Sequence, residues 1–576
     1  SDLLNKETIQ CDGSYLPDIT YIEGQELVIN SSTVDKYIGV DGFKECRYRQ
    51  ILRHGTNENI FRSSKWKEPF TNRIELKKNS EFLQVECTNN KSELVSKSYW
   101  PLIPRNEEFD EMDYLNFKKR QTESAPKETL NVIMICLDSL PRNQFLRSLV
   151  KTYSYLTNNL TSFDLTMHAQ LGINTFHNSL PLFTGHSIEE TNKWWTESNH
   201  MDTLDIIWKT FEKAGYRTLF AEDEPYGGAF NYLKKGFKYP FARYNNRPLA
   251  LAMEEDKDIW SRNNFCAGNQ LEVNFLLNYV GSFLDTFSEN PVFGVLMLTK
   301  ATHDDTTNAK MLDDHMLNFY QSLNERGHLN RTLLISFSDH GPRWGAIRDS
   351  VNGEFESRTP YTILTFPDWF LTKHPEVAIN LKINTKRLTT HYDTHATLQD
   401  LLYFKSDMPP PLAPLRHGIS LFDVIPWDRT CNDVPIPADF CMCGYQNFEE
   451  ISIQSQISSH LAKLVLKSLN SKINSSLCAV LKIKDILRIV KILLDENTTK
   501  VKNNQTVYKV KLQTSPGDGI FEANVYGHNG TVWSVGHNID RLNLYRGQAD
   551  CVQNANDRLF CYCKDLLKHA QDGDAL

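Results

Sequence analysis

The sequence has no run approaching the roughly 20 apolar residues that cross a bilayer as a helix, so no transmembrane segment is expected. It also lacks a basic excess: 63 Lys and Arg stand against 71 Asp and Glu, a formal net charge of −8. Nucleic-acid binders steer onto phosphate backbones with a basic stripe, and its absence argues against such a partner. There is no internal repeat. The chain opens Ser1-Asp2-Leu3 without a signal peptide. It reads either as mature protein or as a chain whose N-terminal signal or anchor lies outside it. Cysteine is sparse in the long middle, where only Cys136 and Cys266 fall.

What is present is globular in character. Hydrophobic residues make up 40% and charged residues 23%, ordinary proportions for a folded protein. A length of 576 residues exceeds one average core, so several domains are expected. Cys11, Cys46 and Cys87 lie early; Cys431, Cys441, Cys443, Cys478, Cys551, Cys561 and Cys563 lie late. The C-x-C pairs Cys441/Cys443 and Cys561/Cys563 admit zinc, but the C-x2-C spacing of structural zinc sites is missing and disulfides suit the pattern better. Cys136, inside an apolar run, reads as a free buried thiol, which leaves one other cysteine odd. Asn-x-Ser/Thr sequons occur at Asn30, Asn90, Asn159, Asn330, Asn474, Asn497, Asn504 and Asn529. Together with the clustered cysteines they point to an extracellular or secreted protein, or the ectodomain of a membrane-anchored one.

Three regions follow from the pattern along the chain. Residues 1–125 show short alternating segments, ELVI at 26–29 and FLQV at 82–85, and predict a β-rich, disulfide-bearing region. Residues 126–428 alternate apolar strands with helical patterns. NVIMICL at 131–137, RTLFA at 217–221, VFGVLML at 292–298 and TLLISF at 332–337 read as buried strands. Helices are predicted over 202–214, 310–326 and 394–404. This alternation predicts an α/β fold, a mostly parallel sheet covered by helices on both faces. The proline-rich residues 408–414 mark the exit from that core. Residues 429–576 read as a smaller cysteine-containing α+β region, with amphipathic stretches at 457–469 and 483–494 and strands near 508–512 and 519–526.

In open α/β sheets, sites form beyond the carboxyl ends of the strands. NVIMICL ends in Asp138-Ser139, VFGVLML leads into Thr299-Lys300-Ala301-Thr302-His303-Asp304-Asp305, and TLLISF ends in Ser338-Asp339-His340-Gly341. His391-Tyr392-Asp393-Thr394-His395 immediately precedes a helix. Taken singly, Asp138 also suits a turn cap, Asp339-His340-Gly341 a turn, His303 a solvated loop and His395 a helix start. Their coincidence at strand ends and a helix start in one α/β block makes a nest for divalent metals.

These segments, with Gly172-Ile173-Asn174-Thr175-Phe176 and Leu180-Pro181-Leu182-Phe183-Thr184-Gly185, resemble the alkaline phosphatase/sulfatase-like superfamily. More narrowly they resemble the extracellular animal family catalogued as domain of unknown function 229. Further matching text is Phe220-Ala221-Glu222-Asp223, Asn231-Tyr232-Leu233-Lys234-Lys235-Gly236-Phe237, Arg387-Leu388-Thr389-Thr390 and His395-Ala396-Thr397-Leu398, with late Cys431, Cys441 and Cys443. The resemblance implies an alkaline-phosphatase-like central sheet and a hydrolase of phosphoesters, of phosphodiesterase or phosphotransferase type. It implies Thr175 as nucleophile, and Asp138, Asp339 and His340 as ligands of the metal that also contacts Thr175. It implies His303 at a second-metal or substrate-contacting position, His395 as the late histidine ligand, and Asp304 and Asp305 as further partners, with no choice between them. The implied cofactors are two divalent metal ions, zinc foremost.

The residue types fit that chemistry. A threonine hydroxyl is a poor nucleophile until a cation lowers its pKa, and a second cation, roughly 3.5–4 Å away in two-metal sites, stabilises the leaving oxygen. Lys300, Arg343, Arg348 and Arg358 are the candidates for offsetting phosphate charge, with a surface role as the alternative for each. Position 173 is Ile where a polar or acidic residue is common in relatives, position 177 is His where proline is common, and His391 also stands where proline is expected. Formylglycine sulfatases require Cys or Ser in a C/S-x-P-x-R context, whereas Thr175 is followed by Phe176-His177-Asn178. Phosphorus esters are therefore favoured, a lipid or glycan head-group phosphodiester among them. The alternatives are an inactive secreted binding protein on the same fold and a sulfatase-like ester hydrolase.

Overall fold

The computed structural model describes residue 11 and residues 16–39, 42–261, 265–349, 353–406, 417–442, 447–493, 505–528 and 532–567. Residues 408–414, Cys443 and the sequons at Asn497, Asn504 and Asn529 lie outside the described residues.

The centre is a seven-stranded, mostly parallel sheet. In chain order its strands are β1 (Asn131–Leu137), β2 (Ser162–Asp164), β3 (Arg217–Glu222), β4 (Tyr244–Asn245), β5 (Val292–Leu298), β6 (Thr332–Phe337) and β7 (Thr362–Thr365). Their order across the sheet is β4-β3-β5-β1-β6-β7-β2. The pairs from β4 through to β6 are parallel, and β7 runs antiparallel to both β6 and β2. Every residue of β1, β3, β5, β6 and β7 is buried, as expected of strands covered on both faces. Along β1, Val132, Met134 and Cys136 join one apolar core, while Ile133, Ile135 and Leu137 join the other. Because side chains alternate across a strand, the two cores lie on opposite faces of the sheet. Helices Ile207–Lys213 and Thr175–Thr184 contribute to the first core, and helices Glu272–Thr286 and Asp313–Glu325 to the second.

Helix bounds differ from expectation in places. The pattern over 202–214 forms helix only at Ile207–Lys213, and the 310–326 pattern begins as a 3-10 turn, Thr306–Leu312, before Asp313–Glu325. The closing helix starts earlier, at His391, and runs to Leu402. In the β-rich N-terminal region, the 17-residue helix Glu107–Glu123 stands where short strands and turns are expected. It has no apolar stripe to betray it. Asn106 caps its start, Glu107, Glu108 and Asp110 fill its first turn, and Arg120 lies in its last, all matched to the helix dipole.

The N-terminal strands form a four-stranded and a three-stranded sheet around one apolar core. The C-terminal region is a five-stranded antiparallel sheet with helix Gln456–Ser471 packed on it. The amphipathic 483–494 stretch is the strand Lys482–Leu493. Two bulges interrupt its pairing, after Ile483 and after Ile486. Each inserts one extra residue, so Ile483, Ile486 and Ile489, three apart, all pair opposite the alternate residues Thr514, Leu512 and Val510. A helix-like spacing thereby serves one face of a sheet.

Five disulfides join Cys11–Cys266, Cys46–Cys87, Cys431–Cys441, Cys478–Cys561 and Cys551–Cys563, and Cys136 is free and buried. No described helix is long and apolar enough to cross a membrane.

Candidate active site

Adjacent strands β1 and β6 end side by side, which brings Asp138 next to Asp339 and His340. All three are essentially inaccessible to solvent. Ligand-type atoms of the three lie within 4.8 Å of one another. His340 Nε2 is 3.7 Å from Asp138 Oδ1 and 3.4 Å from Asp339 Oδ2. Ser139 is held at φ 59. Its backbone N–H donates to Asp339 Oδ1 at 3.2 Å and its hydroxyl to Asp138 Oδ1 at 2.9 Å. Ser338 accepts from the Leu140 N–H and donates to the His340 carbonyl, tying the two strand ends together. Gly341 follows because a Cβ there would sit 2.4 Å from the Ser357 carbonyl oxygen.

Thr175 reaches the cluster as the first residue of the helix Thr175–Thr184. Asn178, one turn on, accepts from the Leu171 and Gly172 N–H groups and donates to the Gly172 and Asn174 carbonyls. The loop before Thr175 is therefore clamped by one buried amide. The Thr175 hydroxyl donates to Asp138 Oδ2 at 3.4 Å and lies 3.4 Å from His340 Nε2. Thr175 is half-buried, so its hydroxyl is reachable beside three enclosed ligand groups.

The electrostatics suit a cation. Asp339 Oδ2 is buried without a hydrogen-bond partner, a costly state for a carboxylate oxygen. Burial, and next the charge of facing Asp138, push the Asp339 carboxyl up to about 6. Burial lowers the His340 imidazole. His340 Nδ1 donates to the Gly341 carbonyl at 2.7 Å, which leaves Nε2 with a lone pair toward the carboxylates, as in metal-ligating histidines. Two oxygen donors and one nitrogen donor fit zinc or a similar divalent ion. Among the described residues, the other group of three is Cys478, Cys551 and Cys561, whose sulfurs are in disulfides.

The remaining expected residues are held by other partners. His303 donates through Nδ1 to Asp304 at 3.0 Å and meets the Trp344 ring edge-on at 5.4 Å. Desolvation presses its pKa down, but the Asp304 hydrogen bond and the Asp138 charge outweigh it and hold the imidazole above its ordinary value. Asp304 also pairs with Arg546 from the C-terminal region. Asp305 caps the turn Thr306–Leu312, accepting from Thr307 N and Oγ1. His395 is not brought to the cluster. Its Nδ1 donates to the Leu182 carbonyl at 2.9 Å, and its ring packs on Gly185, at the far end of the helix that Thr175 begins. Lys300 pairs with Glu254 and Glu272. Arg343 lies over the Trp344 ring, and its charge acts on His177, His303 and His340. Arg358 and Arg348 pair with Asp540 on the C-terminal sheet.

Sequence reasoning missed Asn178 and the part played by His391. His391 Nε2 donates to the Asp339 carbonyl at 2.7 Å, and its Nδ1 is 3.4 Å from His168 Nε2. His168 is brought there by a short parallel pairing of His168–Ala169 with Thr389–Thr390. A histidine where proline is expected was the available signal for His391. Nothing in the spacing marked Asn178. His177, the other departure, donates to the Asn174 side chain from its backbone and meets it again through Nδ1 at 2.5 Å.

The sheet and the residues at its edge define an α/β protein with its candidate site at the carboxyl ends of parallel strands. The chain belongs to the family described as Protein of unknown function (DUF229), which matches residues 6–487. Similar solved structures include a protein in the alkaline phosphatase superfamily from Vibrio parahaemolyticus, 11% identical, covering 82% of this chain and 98% of that one, with a TM-score of 0.35. The lipoteichoic acid synthase LtaP from Listeria monocytogenes is 13% identical, covers 52% of this chain and 78% of its own, and has a TM-score of 0.34. The lipooligosaccharide phosphoethanolamine transferase A (EptA) from Neisseria meningitidis is 13% identical, covers 49% and 56%, and has a TM-score of 0.35. No curated protein matches the sequence.

Proposed function

We propose that the chain is a secreted, metal-dependent phosphoester hydrolase with Thr175 as its nucleophile. One observation carries this reading: the Thr175 hydroxyl lies 3.4 Å from both Asp138 Oδ2 and His340 Nε2, beside a buried Asp339 oxygen that no protein group satisfies. Asp138, Asp339 and His340 would hold one divalent cation, zinc by donor type. Bound there, it supplies positive charge that lowers the pKa of a neighbouring hydroxyl and offsets charge on the ester. The ligand set for a second cation is not assembled among the described residues, so the proposal is for one.

The chain's own groups do the rest. Asp138 orients the Thr175 hydroxyl, and Asn178 fixes the loop that presents it. The Thr175 hydroxyl gives up its proton to water, and its Oγ forms a bond to phosphorus as the ester P–O bond breaks. The developing negative charge lies at the N-terminus of a ten-residue helix, where the helix dipole favours it. His303, held by Asp304 and acted on by the Asp138 charge, would give the leaving oxygen its proton. Water then breaks the Oγ–P bond and restores the hydroxyl. Phosphorus is favoured over sulfur because Thr175 offers no route to formylglycine. The five disulfides and the exposed sequons Asn90, Asn159, Asn330 and Asn474 support an oxidising, extracellular setting.

The test is turnover of a panel of phosphomonoesters, head-group phosphodiesters and sulfate esters by the zinc-loaded chain, with mass spectrometry at Thr175. Phosphoester turnover lost in Thr175→Ala, with a phosphothreonine trapped in the wild type, supports the proposal. Undiminished turnover by Thr175→Ala, or none by the loaded wild type on any ester, contradicts it, and the latter favours a binding protein.

A further inference from the structure

A cleft lies between the loop after His340 and the C-terminal sheet, with Ile173, two residues before Thr175, in its lining. Its walls include Gln170, Gly341, Arg343, Arg348, Arg358 and Arg541, with the carboxylate of Asp540 among them. Gln170 Oε1 accepts from the Gly341 N–H. Gly341 follows His340, so the cleft and the metal cluster share a wall. Four guanidinium groups in one cleft are unusual in a chain with a formal net charge of −8.

Part of that charge is met within the protein. Arg348 pairs with Glu522 and Asp540, and Arg358 with Glu354 and Asp540. Lys509 joins the same network through Glu354. Five cations thus face three carboxylates. The excess is carried by Arg343, which rests on the Trp344 ring, and Arg541, which donates only to the Leu559 carbonyl and the neutral Gln548 amide among the bonds described. Arg348 and Arg541 are 7% and 4% exposed, and the Nε atoms of Arg343, Arg348 and Arg541 are buried without hydrogen-bond partners. Burying such donors unpaired is costly. An oxyanion, which guanidinium forks grip through paired hydrogen bonds, would answer both the missing acceptors and the charge excess.

We propose that this cleft binds a second anionic group of the substrate, a phosphate, sulfate or carboxylate, one step away from the ester attacked by Thr175. The substrate class is then a polyanion, such as a multiply phosphorylated or sulfated glycan or lipid head group, rather than an isolated monoester. That it serves the substrate rests on the hydrolase reading; that it binds an oxyanion does not.

The test separates the two. Inorganic sulfate, inorganic phosphate and acetate are titrated calorimetrically into the full chain carrying Thr175→Ala and stripped of metal, at low ionic strength, where turnover and the metal cluster contribute nothing. One saturable site is expected, weakened about tenfold or more by Arg343→Gln, the loss expected for one charge-assisted bond. Arg541→Gln is the second variant, read only if its thermal midpoint stays near the parent's. Preference for sulfate and phosphate over acetate names the group as tetrahedral, and the reverse order as carboxylate. No saturable binding of any of the three, or binding unchanged by Arg343→Gln, overturns the proposal. Absence of phosphoester turnover by the zinc-loaded wild type, with sulfate binding intact, would count against the hydrolase reading and leave the anion site standing.

Discussion

Asn178 makes four hydrogen bonds with the loop that carries Thr175. Asn178→Ala strands buried backbone groups, each costing about 1–3 kcal/mol. A stability loss of about 2–4 kcal/mol in denaturant unfolding and at least a tenfold fall in kcat follow, with KM moved less. His395 gives a pH signature. Burial pulls its pKa down to about 4, against an ordinary 6.5. Between those values the unfolded chain binds a proton that the folded chain refuses, so stability falls as pH drops below 6.5 and this contribution vanishes above it. From pH 7 to pH 5 the wild type should lose about 2 kcal/mol that His395→Gln does not. Equal losses in guanidinium unfolding would refute it. The residues at strand ends were legible in the sequence because apolar strands announce where they stop. His395 was misplaced because a histidine at a helix start reads alike whether it faces the cluster or a neighbouring carbonyl.

At the level of elements, buried strands were the most legible feature. β1, β5 and β6 occupy the residues their apolar runs predict, since a strand buried on both faces has no polar positions to blur it. The helix Glu107–Glu123 was not legible, because capping and dipole-matched charges leave no periodic signal. Strand Lys482–Leu493 misled for a different reason, as its bulges turn a spacing of three into one sheet face. Deletion of Leu487, the residue set aside at the second bulge, leaves Ile486 and Ile489 on their present face. It should cost about 1–2 kcal/mol or less. Deletion of Val490, in regular pairing, moves the strand end to the opposite face and should cost several times more. Thermal melts of the two variants decide this, and equal destabilisation would contradict the bulge account.

For the molecule as a whole, we propose the division into residues 1–125, 126–428 and 429–576 as three parts, with helix Glu107–Glu123 docked on the central one through Arg217 and Asp110. The parts are bound across their boundaries: Cys11–Cys266 links the first to the second, and Arg348, Arg358 and Arg546 link the second to the third. Cys478–Cys561 closes 83 residues of the C-terminal region. By loop-closure entropy, replacing both with serine should cost about 4 kcal/mol, read as a lower midpoint in chemical unfolding. No change would mean that the bond constrains nothing in the unfolded chain.

A divalent cation held by Asp138, Asp339 and His340 against Thr175 is the centre of the proposed chemistry, and metal content measured on the folded chain tests it most directly. About one tightly bound zinc or similar ion per chain is expected in the wild type, lost in Asp339→Asn while the circular dichroism spectrum is kept. A folded wild type that binds no divalent ion after zinc loading, or an Asp339→Asn variant that keeps it undiminished, would contradict the account.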